Sequence, residues 1–454
     1  MWKIPWSGSA GTWGSSVASA PEPGGVRPPV TQAYANYVLA IFFLAYVVNF
    51  IDRQILAILL DPIKEELGVS DTFMGFLTGT AFALFYATAG IPIARWADGW
   101  VRRTIVALGM AVWSAMTALS GLAQNAWQMA AARVGVGVGE AALSPPAHSL
   151  LADYFPPERR ATALGIYSMG IHVGILFGLT VGGWLSDHVG WRQAFFVVGI
   201  PGLVLALLVR LTIREPVRGG TEPAGNPHQG DDVEVPAAGE VLRYLWNLRS
   251  FRHLSFATGL TAFAGYAFAS WGPTFLRRVH DMSGSEAGTS LGFAIGISGA
   301  IGSVLAGLLA DRLGRRDLRY YMWVPAFAAL GPLPFTLFFF FHGDPTLALA
   351  VVFPGLLFGA MYQGPVFSTV QTMSPLRMRS VASAILLFII NMIGLALGPQ
   401  TVGLLNDTVF ASHGKEAIRY SLASVSIVMG LWGFLHFVLA ARSVEADLRA
   451  VGDA

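Results

Sequence analysis

Asp52, Arg133 and Glu140 are ionisable residues set in stretches otherwise too apolar for them, and chemistry is expected where that mismatch occurs. Asp52 sits in Asn49-Phe50-Ile51-Asp52-Arg53. Arg133 and Glu140 bracket the glycine-rich run Arg133-Val134-Gly135-Val136-Gly137-Val138-Gly139-Glu140-Ala141. On a helix seven residues are close to two turns, which puts Arg133 and Glu140 on one face, with His148 about two further turns along the same polar stripe. The chemistry this suggests is proton-linked switching. Asp52 pairs with Arg133 in one conformation and is released in another, while Glu140 takes up a proton or senses a substrate head group. A buried acid holds a proton more tightly once its cationic partner leaves. The plainer alternative is a permanent bridge from Asp52 to Arg133 that ties two helices together, with Glu140 hydrogen-bonded to a neighbour. Arg53 adjoins Asp52, so on a helix it points well away from it and is expected to snorkel or face another helix. Asn49, Arg53, His148, Tyr362, Gln363 and Asn391 form a secondary set of cavity candidates. For His148 and His172 an interhelical contact is the commoner fate.

Other chemistries are excluded by what is missing. There is no pairing of nucleophile and base, no HExxH and no histidine-rich set, so neither an enzyme, a cofactor nor a metal site is expected. The chain has no cysteine. Gly135, Gly137 and Gly139 follow no strand and suit close helix packing rather than nucleotide binding. Lys3, Lys64 and Lys415 are the only lysines and none completes a phosphate-binding loop. The net charge of +2, with arginines scattered between apolar segments, gives no reason to expect nucleic acid.

The elements that must position these groups are membrane helices. Of the 454 residues 54% are hydrophobic and only 12% charged, and apolar runs of about 20 residues, enough to cross the hydrocarbon core, recur along the chain. Apolar length and charged punctuation predict helices near 34–60, 71–96, 102–122, 126–153, 159–186 and 190–212, then near 251–279, 285–312, 318–341, 346–373, 378–409 and 414–442. The expected organisation is an all-α membrane protein. Its parts are a disordered tail over 1–33, a six-helix bundle over 34–212, a linker with an interfacial helix over 213–250, a second six-helix bundle over 251–442 and a tail over 443–454. Most of the 29 Lys and Arg fall on the side of both termini, among them Arg102, Arg103, Arg159, Arg160, Arg243, Arg249, Arg315 and Arg316. By the positive-inside rule that side is cytoplasmic; the membrane itself is expected to be the cell's inner membrane. Six aromatics, Phe263, Tyr266, Phe268, Trp271, Phe358 and Phe367, crowd the second half, whose predicted helices lack a charge at mid-membrane.

The halves repeat one another. Gly174, Gly178, Gly183 and Asp187 recur 220 positions later as Gly394, Gly398, Gly403 and Asp407. The segment Gly307-Leu308-Leu309-Ala310-Asp311-Arg312-Leu313-Gly314-Arg315-Arg316 answers Ala94-Arg95-Trp96-Ala97-Asp98-Gly99-Trp100-Val101-Arg102-Arg103. The segment ending at Arg316 resembles the loop signature of the major facilitator superfamily. The earlier copy departs from it at Ala94, Gly99 and Val101. The resemblance implies twelve helices, alternating access, and a cytoplasmic gate built from Asp98, Arg102, Arg103, Asp153, Asp311, Arg312, Arg315 and Arg316. Within that superfamily, the segments around Asp52, Gly68-Val69-Ser70-Asp71 and Arg133 to Ala141 resemble the spinster family. That resemblance implies a carrier of a lysophospholipid or sphingoid-type amphiphile, coupled to protons; a monomer is expected. A carrier of a small organic anion or drug-like molecule is the alternative within the fold, and a non-transporting receptor or scaffold the alternative outside it. Asn406-Asp407-Thr408 also matches a glycosylation triplet.

Overall fold

A computed structural model describes residues 31–218, 237–375 and 378–452. The expected tail over 1–33 lies, except for its last residues, outside them, as do residues 219–236 of the expected linker.

The architecture is all-helical among the described residues, with twelve spans in two halves of six. In the first half α1 (Gln32–Ile58) is followed by the short α2 (Leu60–Leu67). Then α3 (Asp71–Thr78) and α4 (Thr80–Gly99) make one span bent at Gly79. The third span is α5 (Arg102–Ser120), the fourth is α6 (Ala126–Glu140) with α7 (Ser144–Tyr154), and α8 (Pro157–His188) and α9 (Trp191–Thr212) complete the half. After α10 (Ala238–Asn247) the second half runs α11 (Arg249–His280), α12 (Gly284–Gly314), α13 (Tyr320–Leu330) with α14 (Leu333–Phe341), and α15 (Pro345–Gly359) with α16 (Gln363–Thr372). It ends with α17 (Arg379–Ile390), a π-helical segment (Asn391–Ala396) leading into α18 (Leu397–Asp407), and α19 (Ala417–Gly452).

Ten of these spans are long and apolar enough to cross a membrane by length and composition alone. The fourth is interrupted at Ala141 to Leu143, just before Pro145 and Pro146, which offer no N–H to the carbonyls of Ala141 and Ala142 one turn back and whose rings crowd them. The seventh is 32 residues long, roughly 48 Å at 1.5 Å per residue, but buries Ser250, Ser255, Thr258 and Thr261 and carries arginines at both ends. One difference from expectation lies at a helix end. The segment expected as a tail from residue 443 continues α19 as helix to Gly452. The expected interfacial helix is a separate ten-residue element, α10, whose buried Val241 and Leu245 pack in the same apolar cluster as Leu254 and Leu386.

Glycines set how closely the helices approach. Without a hydrophobic drive between helices in lipid, backbone approach through small residues supplies much of the packing. Gly174 and Gly178 of α8 abut Val47, Phe50, Ile51 and Gln54 of α1, while Gly394 and Gly398 abut Ala262 and Phe263 of α11. The repeat seen in the sequence is thus one packing solution used in both halves. In the fourth span Gly137 faces α4 and Gly139 faces α5, where a β-carbon would lie 2.6 Å from the Phe82 carbonyl oxygen and 2.6 Å from the Trp113 nitrogen respectively. Those neighbours are backbone and cannot rotate aside. Gly137→Val is therefore expected to destabilise the protein by about 1–3 kcal/mol, seen as earlier thermal unfolding in detergent. Gly165→Val, at a position with open space around it, should leave the transition nearly unmoved.

The two halves meet unevenly. Among the described residues the hydrogen bonds that join the first half to the second lie at or toward the end of the bundle remote from the termini, hereafter the far end. Short α2 is fixed there by Arg192, whose guanidinium donates to Glu66 at 2.7 and 3.0 Å and to the Ala123 carbonyl at 2.6 Å, and by the Trp191 indole at 2.6 Å from Glu66. These donors hold the Glu66 carboxyl below its ordinary range.

Candidate functional site

Two acids and two guanidinium groups are buried side by side in the first half. α1 contributes Asp52 and Arg53, and α6 contributes Arg133 and Glu140. Asp52 and Arg133 are 1% and 2% exposed and lie 3.4 Å apart. The Thr117 hydroxyl of α5 also donates to Asp52. Glu140, 1% exposed, accepts from Arg53 Nε at 2.6 Å. Each acid thus has one arginine, and the cluster is formally neutral. Neutrality is what allows four charges to stay out of water, since an uncompensated buried ion costs several kcal/mol.

The two pairs are not equivalent. Asp52 receives a hydroxyl and a guanidinium, whereas Glu140 receives Arg53 on one oxygen and has no hydrogen-bond partner on Oε1 among the described residues. A buried carboxylate with an unused oxygen has room for a proton there. Arg53 is held in an aromatic box: its guanidinium carbon lies 4.9 Å from the centre of Phe50, 5.0 Å from Phe82 and 4.8 Å from Tyr86. Arg133 shares Phe82 at 5.5 Å. Ring faces attract a cation but, unlike a carboxylate, do not neutralise it. Arg53 released from Glu140 would remain in place as a free positive charge.

The structure brings the expected pair of Asp52 and Arg133 together and places Glu140 within the same cluster. Of the two positions expected for Arg53, the residue takes the one facing another helix. The side chain does turn away from Asp52, as its position on the helix requires, but it turns inward to α6 and pairs with Glu140 instead of snorkelling. The continuous stripe from Arg133 through Glu140 to His148 is corrected, because the break at Ala141 to Leu143 separates His148 on α7 from the charges on α6. The His148 ring packs edge-on against Tyr167 with centroids 5.3 Å apart, the interhelical contact that a lone membrane histidine commonly makes. Asn49 is buried near the same turn of α1. Tyr362, Gln363 and Asn391 belong to the second half. Tyr362 accepts from the Gln363 amide at 3.2 Å, and Asn391 opens the π-helical segment; among the described residues no hydrogen bond ties the three to the charged cluster.

At the end carrying the termini, Arg102 is 2% exposed and donates to Asp153, to Glu215 at 2.8 Å and to Ser149 at 2.7 Å. The Arg103 guanidinium donates to the Ile213 carbonyl at 2.6 Å. These bonds join parts of the same half. The Asp98 side chain lies outside the described residues. In the second copy of the loop Asp311 accepts from Tyr321 at 2.8 Å, and Arg312, Arg315 and Arg316 are exposed.

Sequence reasoning missed Thr117 and the aromatic box. A signal for the box was available: Phe82 and Tyr86 are four residues apart, one helical turn, and so lie on one face of a helix predicted to neighbour the first.

Comparison with known proteins places this arrangement. Residues 42–399 match the family model of the Major Facilitator Superfamily. The sequence is 32% identical over 417 residues to an MFS-type efflux pump of Mycolicibacterium smegmatis, covering 90% of this chain and 93% of that protein. It is 28% identical over 409 residues to a cis,cis-muconate transport protein of Acinetobacter baylyi, covering 89% and 92%. Among solved structures, the crystal structure of a bacterial homologue of the human lysosomal transporter Spinster, in an inward-facing and unoccupied conformation, superposes with a TM-score of 0.81 at 31% identity, covering 92% of this chain and 99% of that one.

Proposed function

The chain belongs to the major facilitator superfamily, on its spinster branch, and is a membrane transporter rather than an enzyme; from that premise we propose that it is a proton-linked secondary carrier of a lysophospholipid or sphingoid-type amphiphile. It works by alternating access, as a monomer in the inner membrane, with both termini in the cytoplasm. The observation that carries this reading is the neutral cluster of Asp52, Arg133, Arg53 and Glu140, confined to one half, with Arg53 held among aromatic rings. Protonation of Glu140 leaves Arg53 without its counter-charge. An anionic or zwitterionic head group can then replace the carboxylate, and the weakly polar, aromatic surface around Tyr266, Tyr362, Gln363 and Asn391 receives the apolar part. Proton and substrate thereby act on one ion pair, which is the coupling a carrier needs. Asp98, Arg102, Arg103, Asp153, Asp311, Arg312, Arg315 and Arg316 are assigned to the cytoplasmic gate. The excess of Lys and Arg at the termini's end supports the orientation.

A second reading is supported by the similarity to the muconate transport protein: the two arginines would bind a small organic anion. Uptake of a labelled lysophospholipid and of a small dicarboxylate into proteoliposomes separates the two, each with and without an imposed pH gradient. Gradient-accelerated movement of the lysophospholipid, uninhibited by the dicarboxylate, is expected. Movement of the dicarboxylate alone would transfer the assignment to the second reading.

A further inference from the structure

The far-end closure consists of two seams, and each repeats the other residue by residue. Where α8 meets α12, Asp187 of the first half accepts from the backbone nitrogens of Gly284 at 3.0 Å and Ser285 at 2.7 Å, and from the Ser285 hydroxyl at 2.7 Å. Where α18 meets α3, Asp407 of the second half accepts from the nitrogens of Asp71 at 3.3 Å and Thr72 at 2.6 Å, and from the Thr72 hydroxyl at 2.7 Å. Each carboxylate therefore caps the first turn of a helix belonging to the opposite half, where free amide groups and the helix dipole both favour negative charge. The glycines beneath follow the same rule. Gly288 lies against the carbonyl of Leu179 and Gly75 against that of Pro399; Gly292 lies against Leu176 and Gly79 against Ala396.

We propose that Asp187 and Asp407 are the paired clasps of the far-end gate, each released when the halves rock apart, so that together they set how much of the time that end is shut. The inference goes beyond the substrate reading and depends only on the alternating access which that reading assumes. Both carboxylates are exposed at the far end, so water can replace the bonds when they break. That suits a contact made and lost in every cycle rather than a permanent weld. Gly183 and Gly403, four residues before each clasp, let the backbones approach: a β-carbon on either would run into the carbonyl of Gly284 or Asp71.

The seams differ in one respect. Asp71 stands where the other seam has Gly284, and its carboxylate binds Arg278 of α11 at 2.6 and 2.9 Å, Lys64 at 2.6 Å and Asn406 at 2.9 Å; Arg278 reaches Asp61 as well. Asn406, buried by this network, is no free glycosylation acceptor. At the other seam, among the described residues, the arginine beside Asp187 is Arg277, which donates to the neighbouring Ser186 at 3.3 Å and to the Ile58 carbonyl at 3.1 Å and not to Asp187 itself. Loss of Asp187 should therefore release more than loss of Asp407 does while Arg278 is present.

The absence of native cysteine permits a direct test. Thr80→Cys reports on the far-end seam, where Thr80 donates to the Ala396 carbonyl. Ala87→Cys, two turns along the same helix face and nearer the termini's end, reports on access from that end. Maleimide labelling rates of each reporter are measured in detergent, in the parent and with Asp187→Ala, Asp407→Ala or both. Thr80→Cys labelling is expected to rise about fivefold with one clasp removed, as for the loss of a helix cap, and further with both, while Ala87→Cys labelling falls. Asp187→Ala should exceed Asp407→Ala, and Arg278→Gln should bring the two level. The donor-side variant Ser285→Ala should shift both reporters in the same directions by less. Unchanged labelling would overturn the proposal. So would a rise at both reporters, which is the mark of loosened packing. Neither outcome bears on what the carrier moves.

Discussion

Arg133→Leu alone is expected to destabilise the protein by about 3–5 kcal/mol, because it leaves Asp52 charged and uncompensated in the interior. Asp52 is 1% exposed and, among the described residues, keeps only the Thr117 hydroxyl as a hydrogen-bond partner once Arg133 is gone. A hydroxyl cannot neutralise a carboxylate, so the folded protein must either hold a bare charge or bind a proton. The double variant Asp52→Asn with Arg133→Leu removes both charges and should recover most of the loss, since a buried ion pair replaced by neutral groups is often energetically neutral. Thermal unfolding in detergent of the parent, Arg133→Leu, Asp52→Asn and the double variant measures the coupling. Equal melting of Arg133→Leu and the parent would mean that the 3.4 Å contact contributes nothing. An additive double variant would mean that the two residues act through different neighbours.

The spans were legible because apolar length and charged punctuation are written into the chain: α5, predicted near 102–122, is Arg102–Ser120, and α9, predicted near 190–212, is Trp191–Thr212. Irregularities inside spans were less so. The break before Ser144 had its signal in Pro145 and Pro146. The π-helical turn at Asn391 had none, since it depends on how that segment packs against α4 and α11. The charged site was legible where one residue's position fixes its partner, as for Asp52 and Arg133. At Arg53 the sequence left the partner open, because adjacency on a helix says which way a side chain leaves but not what it meets. Asp187 and Asp407 were visible as a repeat. Their role was not, because a cap on another half's helix is a tertiary fact: the sequence marks the acceptor and leaves its donor unspecified.

Glu140→Gln is expected to abolish uphill transport while sparing exchange. Glutamine has nearly the shape of the protonated acid and cannot ionise, so the variant stays in the state in which Arg53 has no counter-charge. If one proton moves with each substrate, a gradient of one pH unit can sustain about tenfold accumulation of a neutral or zwitterionic solute. In the variant that ratio should fall to one, while counterflow of labelled against unlabelled substrate continues, because binding and rocking need no proton release. Glu140 is favoured over Asp52 as the proton site on geometric grounds. Asp52 is supplied by both Thr117 and Arg133, whereas Glu140 Oε1 has no partner among the described residues. Asp52→Asn is the control, since it should weaken transport through the cluster's charge balance yet leave its response to the gradient. Accumulation by Glu140→Gln equal to the parent's would remove Glu140 from the proton path. Loss of the gradient response in Asp52→Asn alone would move the proton to the other pair and make the contact between Arg53 and Glu140 the permanent tie between α1 and α6.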